Sequence, residues 1–275
     1  MPSGLFRKDT CEMKPIIASA STQQQVDKIE AFRKLHVPGD PIVLYNIWDA
    51  GSAQAVAKSR AKAIATSSWA VAKAHGFNDG EQFPYELAIQ NLRQIVEAVA
   101  LPVTFDLESG YGEEPFKVGE SISFAIETGA VGCNFEDSIP GKGTIRDTAT
   151  QVARIRGARQ ASDAAKVPFF INARCDLFFQ GPSVKHDDKL LATVIERAFA
   201  YAEAGADGLF VPGLAAISLI SHLAKNSPIP LNILSDSSIS LQMLADNGVS
   251  RVSYGATPYI DATNALELAA RALGS

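Results

Sequence analysis

Pro102-Val103-Thr104-Phe105-Asp106-Leu107-Glu108-Ser109-Gly110-Tyr111-Gly112 runs from an apolar segment through two carboxylates into a turn bracketed by glycines. Read as a β-strand, the segment sends Asp106 and Glu108 to one face, because strand side chains alternate with period two. The following apolar run, Gly132–Asp137, also ends in acids, Glu136-Asp137. Two neighbouring strands with acidic exits predict a sheet whose carboxyl edges share one rim.

Outward from this stretch, strand-like runs recur at Pro41–Asp49, Ala63–Trp69, Pro168–Asp176, Gly208–Pro212, Pro230–Leu234 and Arg251–Ala256, which with Pro102–Glu108 and Gly132–Asp137 makes eight. The intervening segments are Ser52–Arg60, Tyr85–Val99, Pro115–Thr128, Thr148–Ala164, Asp188–Ala204, Ala215–Ala224, Ser240–Asp246 and Ala262–Leu273. They are rich in Ala, Leu and charge, with apolar residues at every third or fourth position, which predicts helices. A further helix, Gln23–Leu35, precedes the first strand, with Ser21 or Thr22 as its cap and the Val37-Pro38-Gly39 turn beyond its end.

Near-continuous apolar strands alternating with helices place the chain in the α/β class, with a parallel sheet covered by helices. Eight such units fit a closed (β/α)8 TIM barrel with an N-terminal helix. An open doubly wound sheet would carry G-x-G-x-x-G after its first strand, where this chain has Asp49-Ala50-Gly51-Ser52. Gly129-Ala130-Val131, Gly205-Ala206-Asp207 and Asn247-Gly248-Val249 repeat one signal ahead of a strand: glycine supplies the left-handed residue that stops a helix. No linker divides the chain, so residues 21–275 read as one barrel domain behind an arm, 1–20.

Composition narrows the function. With 275 residues, 47% of them hydrophobic and 20% charged, the chain can bury a large core. A net charge of -5 and a pI near 5.4 argue against a nucleic-acid or anionic-membrane partner, which needs clustered Lys and Arg. No apolar run approaches the ~20 residues of a membrane helix, and Met1–Met13 lacks the apolar core of a secretory signal. The expected location is the cytoplasm. Cys11, Cys133 and Cys175 form no C-x-x-C pair, and the latter two lie in apolar strands as small buried hydrophobes.

In such a barrel the active site lies at the carboxyl ends of the strands. Polar residues collect there: Asp49, Ser67 and Ser68, Asp106 and Glu108, Glu136 and Asp137, then Asn172, Arg174 and Asp176, and Asn232. Clustered carboxylates repel one another, and a bound cation offsets that repulsion. Oxygen donors without His or thiolate suit Mg2+ or Mn2+ rather than Zn2+, and Mg2+ needs only one or two direct carboxylates because it keeps waters and shares substrate oxygens. Arg174 is the natural partner for a substrate carboxylate or phosphonyl group, through two parallel hydrogen bonds. Its alternative role is an internal ion pair with Asp176 or Glu136.

Taken in order, the strings Ala63-Ile64-Ala65-Thr66-Ser67-Ser68-Trp69, Gly76-Phe77-Asn78-Asp79, Phe105–Gly112, Asn134-Phe135-Glu136-Asp137-Ser138 and Ile171-Asn172-Ala173-Arg174-Cys175-Asp176 resemble the isocitrate lyase/phosphoenolpyruvate mutase superfamily from about Gln23 to the C-terminus. The resemblance implies a (β/α)8 barrel, a homodimer or homotetramer with the last helix exchanged between subunits, and a Mg2+ site for a small 2-oxo or enolpyruvyl carboxylate. By position it makes Asp106 the principal metal carboxylate, with Glu108 and Glu136 assisting through water. It places Ser67, Ser68 and Trp69, with Asn232, around the substrate, Asp79 on a loop close to it, and Arg174 as its clamp.

The chain also departs from the pattern. Isocitrate and methylisocitrate lyases carry a Lys-Lys/Arg-Cys-Gly-His loop after the fourth-strand acids, where this chain reads Ser138-Ile139-Pro140-Gly141-Lys142-Gly143-Thr144-Ile145-Arg146. The missing Cys and His argue against those two activities, and the mutases' Lys-x-Asn-Ser loop is absent as well. Lys142 is then the candidate mobile cation over the site, or else a solvated loop lysine. The sixth strand, Leu209-Phe210-Val211-Pro212-Gly213, lacks the lyases' glutamate. The expected activity is cleavage or rearrangement of a C–C bond next to a 2-oxo carboxylate, by a lyase, decarboxylase or hydrolase. A phosphonomutase-type P–C reaction and a non-catalytic 2-oxo-acid binding protein are the alternatives.

Overall fold

The computed structural model describes residues 20–180, 185–235 and 238–274, so the arm predicted over 1–20 lies outside the described residues except for Ala20. Among the described residues ten strands form: β1 (Ile42–Leu44), β2 (Ile64–Ala65), β3 (Val103–Asp106), β4 (Gly132–Glu136), β5 (Ser138–Ile139), β6 (Thr144–Ile145), β7 (Phe170–Arg174), β8 (Gly208–Val211), β9 (Leu231–Leu234) and β10 (Arg251–Ser253). Eight of them lie in one parallel sheet of order β1-β10-β9-β8-β7-β4-β3-β2. A parallel bridge between Ile47 and Thr66 joins the ends, with Ile47 N donating to Ala65 O at 2.8 Å and Ser67 N to Ile47 O at 3.0 Å. The chain is a (β/α)8 barrel, and each predicted strand appears in it, shortened to the residues that pair.

Helices α1 (Ala20–Lys34), α2 (Ala50–Ala57), α3 (Ser68–Ala74), α4 (Tyr85–Ala98), α5 (Pro115–Glu127), α6 (Thr148–Ala164), α7 (Asp188–Glu203), α8 (Ile217–Asn226), α9 (Leu241–Asp246) and α10 (Thr257–Leu273) complete the alternation. Local chemistry sets their starts. Asp147 and Asp187 cap α6 and α7 by accepting from Thr150 N at 2.9 Å and Leu190 N at 3.0 Å. Asp49, counted among the polar residues of the rim, builds a capping box with Ser52 at the start of α2. The predicted stop signals hold, since Gly129, Gly205 and Gly248 have φ of 89°, 104° and 80°.

Three expectations are corrected. Helix α1 is already helical at Ala20, the first described residue, so Ser21 and Thr22 lie within the helix rather than capping it. The second strand ends early because Ser67 caps α3, a helix that the apolar pattern of Ala63–Trp69 concealed. Strand β3 stops at Asp106 and Glu108 turns left-handed with φ 54°, so the period-two argument that put both acids on one face does not hold.

Helix α1 closes the amino end of the barrel. Gln25 Nε2 donates to Ile126 O and Ala130 O at 3.0 and 2.8 Å; Phe32 meets Phe170 edge-to-face with ring centroids 5.3 Å apart, and His36 stacks on Phe170 at 4.4 Å. His36 is buried, and burial together with the charge of Arg251 pulls its pKa down from 6.5 to about 3. Between those values the unfolded chain binds the extra proton, so stability is full above pH 6.5 and falls as the pH drops below it. The contribution is about 1.4 kcal/mol per pH unit. In urea titrations at pH 7 and pH 5, His36→Gln should show a smaller loss on acidification than wild type. An equal loss would contradict the assignment.

Inside the barrel, a polar layer underlies the carboxyl rim. Asn134 Oδ1 accepts from Asn172 Nδ2 at 2.9 Å and from Arg251 Nη2 at 3.0 Å, and Ser253 donates to Asn232 Oδ1 at 3.3 Å. All five side chains are buried.

Candidate active site

A cavity of about 170 Å3 opens above this layer at the carboxyl end of the barrel. It is lined by Asn46, Ser67, Ser68, Trp69, Asp79, Asp106, Asn134, Arg174, Phe179, Phe210, Pro212, Leu234, Ser253, Gly255 and Ala256. Ser67, Ser68, Trp69, Asp79, Asp106 and Arg174 therefore come together as the sequence suggested. Glu108, Glu136, Asn232 and Lys142 are not on the wall. Asn232 is one layer down, in the polar floor, with its Nδ2 unpartnered. Lys142 is exposed in the β5–β6 hairpin, so the structure supports its solvated role.

Most of the rim acids have protein partners. Asp137 binds Arg197 at 2.9 Å and Tyr201 at 2.8 Å, and accepts from Asp176 N at 2.9 Å. Arg174 takes both partners foreseen for it: Nη1 reaches Glu136 at 2.8 Å, and Nε and Nη2 reach the two oxygens of Asp176 at 2.6 and 3.0 Å. These three contacts leave two of the five guanidinium N–H groups. Its plane lies near the rings of Phe179 and Phe210, at 5.4 and 5.8 Å. Burial opposes its charge, but Glu136, Asp176 and Asp106 hold it more firmly protonated than an ordinary arginine. Burial pushes the Glu136 carboxyl well above the usual range, against the pull of Arg174.

Glu108 clasps the loop that carries Asp79. Its Oε2 accepts from Gly80 N at 2.9 Å and Glu81 N at 2.6 Å, and its Oε1 from Tyr111 OH at 3.0 Å. Glu81 answers by accepting from Ser109 Oγ at 2.7 Å and Tyr111 N at 2.8 Å. Glu81, Glu108 and Tyr111 have φ of 60°, 54° and 52°, a conformation that costs a non-glycine residue on the order of 1 kcal/mol each. Burial, then the charge of Asp79, raises Glu108 to about 7.

Asp106 is left as the acid with a buried, unpartnered oxygen. Its Oδ2 accepts from Ser68 Oγ at 2.8 Å and Ser68 N at 3.3 Å, while Oδ1 is shut from solvent with no partner. Asp79 sits exposed at the lip, yet desolvation on its cleft side and then the charge of Asp106 raise its pKa, with Ser68 and Arg174 opposing. A void of about 20 Å3 touches Asp106 and Glu108, room for about one water. Among the described residues no three His, Cys, Asp or Glu side chains form a metal cage. The donor set fits a hard cation held by one protein carboxylate, its other ligands being water and substrate oxygens.

Sequence reading missed Asn46. Its Oδ1 accepts from Tyr254 N at 2.8 Å and Gly255 N at 2.9 Å, and its Nδ2 donates to Thr66 O at 2.7 Å, stitching the ends of β1, β2 and β10 beside the cavity. One polar residue inside the apolar run Pro41–Asp49 was the available signal.

Comparison with known proteins places the chain in a family. A protein of Burkholderia cenocepacia J2315 whose crystal structure is provisionally assigned as a phosphonomutase is 49% identical, superposes with a TM-score of 0.88, and is covered over 91% of this chain and 100% of its own. An uncharacterized protein of Mycobacterium tuberculosis H37Rv is 33% identical over 88% of both chains. The 2-methylisocitrate lyase of Escherichia coli K12 is 28% identical over 74% of this chain and 68% of its own. The profile of the phosphoenolpyruvate phosphomutase family matches residues 32–274, and the chain belongs to that family of enzymes, within the isocitrate lyase/phosphoenolpyruvate mutase superfamily.

Proposed function

We propose that the protein is a Mg2+-dependent enzyme that cleaves a C–C bond next to a 2-oxo carboxylate. The observation that carries this reading is the pairing, on one cavity wall, of a carboxylate with an unpartnered buried oxygen, Asp106, and a guanidinium with two N–H groups to give, Arg174. Asp106 would hold the ion, with Glu108 and Glu136 adding negative potential behind it. When bound, the ion supplies positive charge for the negative charge that develops on the 2-oxo oxygen. Arg174 binds the carboxylate and fixes the plane of the acid. Ser68 holds Asp106 in place through Oδ2. Asp79, whose pKa burial and the charge of Asp106 raise, sits at the lip to take or return a proton. In a screen of small 2-oxo acids, 2-hydroxy acids and phosphonopyruvate, at least one should be consumed with Mg2+ and none with EDTA. Binding without consumption of any acid would overturn the reading.

The same reading includes a homo-oligomer. From Ile260 to Gly274 every residue of the C-terminal segment is exposed, including Leu266 at 70% and Leu268 at 69%, so α10 does not cover its own barrel. Tyr45 and Val43 stay exposed where an eighth helix would pack, beside cavities of about 590 and 300 Å3. Exchange of α10 between two copies buries both faces. Light scattering should give a mass at least twice 29.3 kDa, and Leu266→Glu with Leu268→Glu should reduce it. A wild-type monomer would contradict the exchange.

Among the described residues no helix is long and apolar enough to cross a membrane. The buried free thiols Cys133 and Cys175 support a reducing, cytoplasmic location.

A further inference from the structure

Arg174 is the one cationic side chain among the described residues that line the cavity, and it already contacts Glu136 and Asp176. The two N–H groups it keeps suit one carboxylate. A second carboxylate on the ligand would meet Asp79 and Asp106, neutral polar groups such as Ser67 and Ser253, or an apolar wall, with no second cationic side chain among the described residues, and a desolvated carboxylate without a counter-charge binds poorly.

The wall opposite the acids is apolar: Phe179, Phe210, Pro212, Leu234 and Ala256. Phe210 sits next to Arg174 in the β7–β8 register, on the strand where the sequence lacks the glutamate of the lyases. The apolar surface continues, because a second cavity of about 210 Å3 shares Phe179 and Leu234 with the first and is lined further by Leu214, Ile239 and Leu244.

Building on the reading of the site given above, we propose that the substrate is a 2-oxo acid with a single carboxylate and an apolar substituent beyond the bond that breaks. The chemistry that needs least from this chain is the cleavage of a 4-hydroxy-2-oxo acid, R–CH(OH)–CH2–CO–COO−, where R is alkyl or aryl. The Asp79 carboxylate takes the 4-hydroxyl proton and the C3–C4 bond breaks. Its electron pair passes into the pyruvate enolate, and R–CHO leaves along the apolar wall. The enolate recovers the proton at C3 to give pyruvate, so atoms and charge balance without an oxidant or co-reactant. Neither a loop cysteine nor a strand-six glutamate is required.

The test measures pyruvate release with Mg2+ from 4-hydroxy-2-oxopentanoate, 4-hydroxy-2-oxohexanoate and 4-hydroxy-2-oxo-4-phenylbutanoate. Oxaloacetate and phosphonopyruvate are the charged comparators, and oxalate binding is measured in parallel. The expected kcat/KM rises about fourfold for the added methylene, and the phenyl compound exceeds oxaloacetate by at least ~10-fold. Leu234→Ser should shrink the phenyl-over-methyl preference, mainly through KM. Equal or better turnover of oxaloacetate or phosphonopyruvate would overturn the inference. So would Mg2+-dependent oxalate binding with no cleavage of any apolar acid, a result that leaves the underlying reading standing. Failure of oxalate to bind with Mg2+ would remove that reading, and the inference with it.

Discussion

Asp106→Asn should abolish Mg2+-dependent ligand binding and lower kcat/KM by at least ~1,000-fold, about 4 kcal/mol of lost stabilisation. The size follows from the ligand count. Among the described residues there is no carboxylate cage, and Asp106 is the cavity-lining acid with a buried, unpartnered oxygen, so a single carboxylate carries the ion. The same substitution should leave the metal-free protein at least as stable as wild type. Asp106 raises the pKa of Asp79 and Glu136 through its charge, which is the signature of mutual repulsion, and Asn removes the charge while keeping an oxygen for Ser68. Mg2+ should therefore raise the melting temperature of wild type and not of the variant. Unchanged Mg2+-dependent binding in Asp106→Asn would rule out the metal assignment.

Glu108 should give opposite results for its two conservative replacements. Glu108→Gln keeps an oxygen for Gly80 N and Glu81 N, and the Tyr111 hydroxyl can rotate to accept from the new amide. It also removes a charge that burial and Asp79 already disfavour. Activity should stay within about threefold. Glu108→Asp retains the charge but is one methylene short, leaving two half-buried N–H groups without their partner at up to about 1 kcal/mol each. It should lower both the melting temperature and kcat, by roughly 100-fold in kcat/KM as Asp79 moves away from the substrate. If Glu108 acted chiefly as a charged ligand the order would reverse, with Asp tolerated and Gln inactive. Steady-state kinetics and Mg2+ titration of the two variants decide between them.

The barrel was legible because its signals are local and repeated. Apolar runs, helix-stopping glycines such as Gly129 and Gly205, and caps such as Asp147 each act within a few residues. Asp106 and Arg174 were legible because strand ends in this fold converge on one site whatever the loops do. What the sequence hid depends on contacts across long separations. Glu108 reads as a strand residue until its left-handed turn toward Gly80 and Glu81 is seen. Asp49 and Asp137 read as rim acids, but a helix amino end absorbs the first, and Arg197 with Tyr201 absorbs the second. Asn46 shows in its own run only as one polar residue among apolar ones, because the partners that give it a role, Tyr254 and Gly255, come from the far end of the chain. Lys142 was named for its loop, and nothing in that loop specifies where the hairpin points.

The most direct test of the central claim is calorimetric titration of wild-type protein with oxalate, a planar dianion shaped like a pyruvate enolate, in Mg2+ and again in EDTA. Saturable binding of one oxalate per chain in Mg2+, lost in EDTA, is the predicted result. Equal binding in both buffers, or none in either, would contradict a Mg2+-dependent 2-oxo-acid site at Asp106 and Arg174.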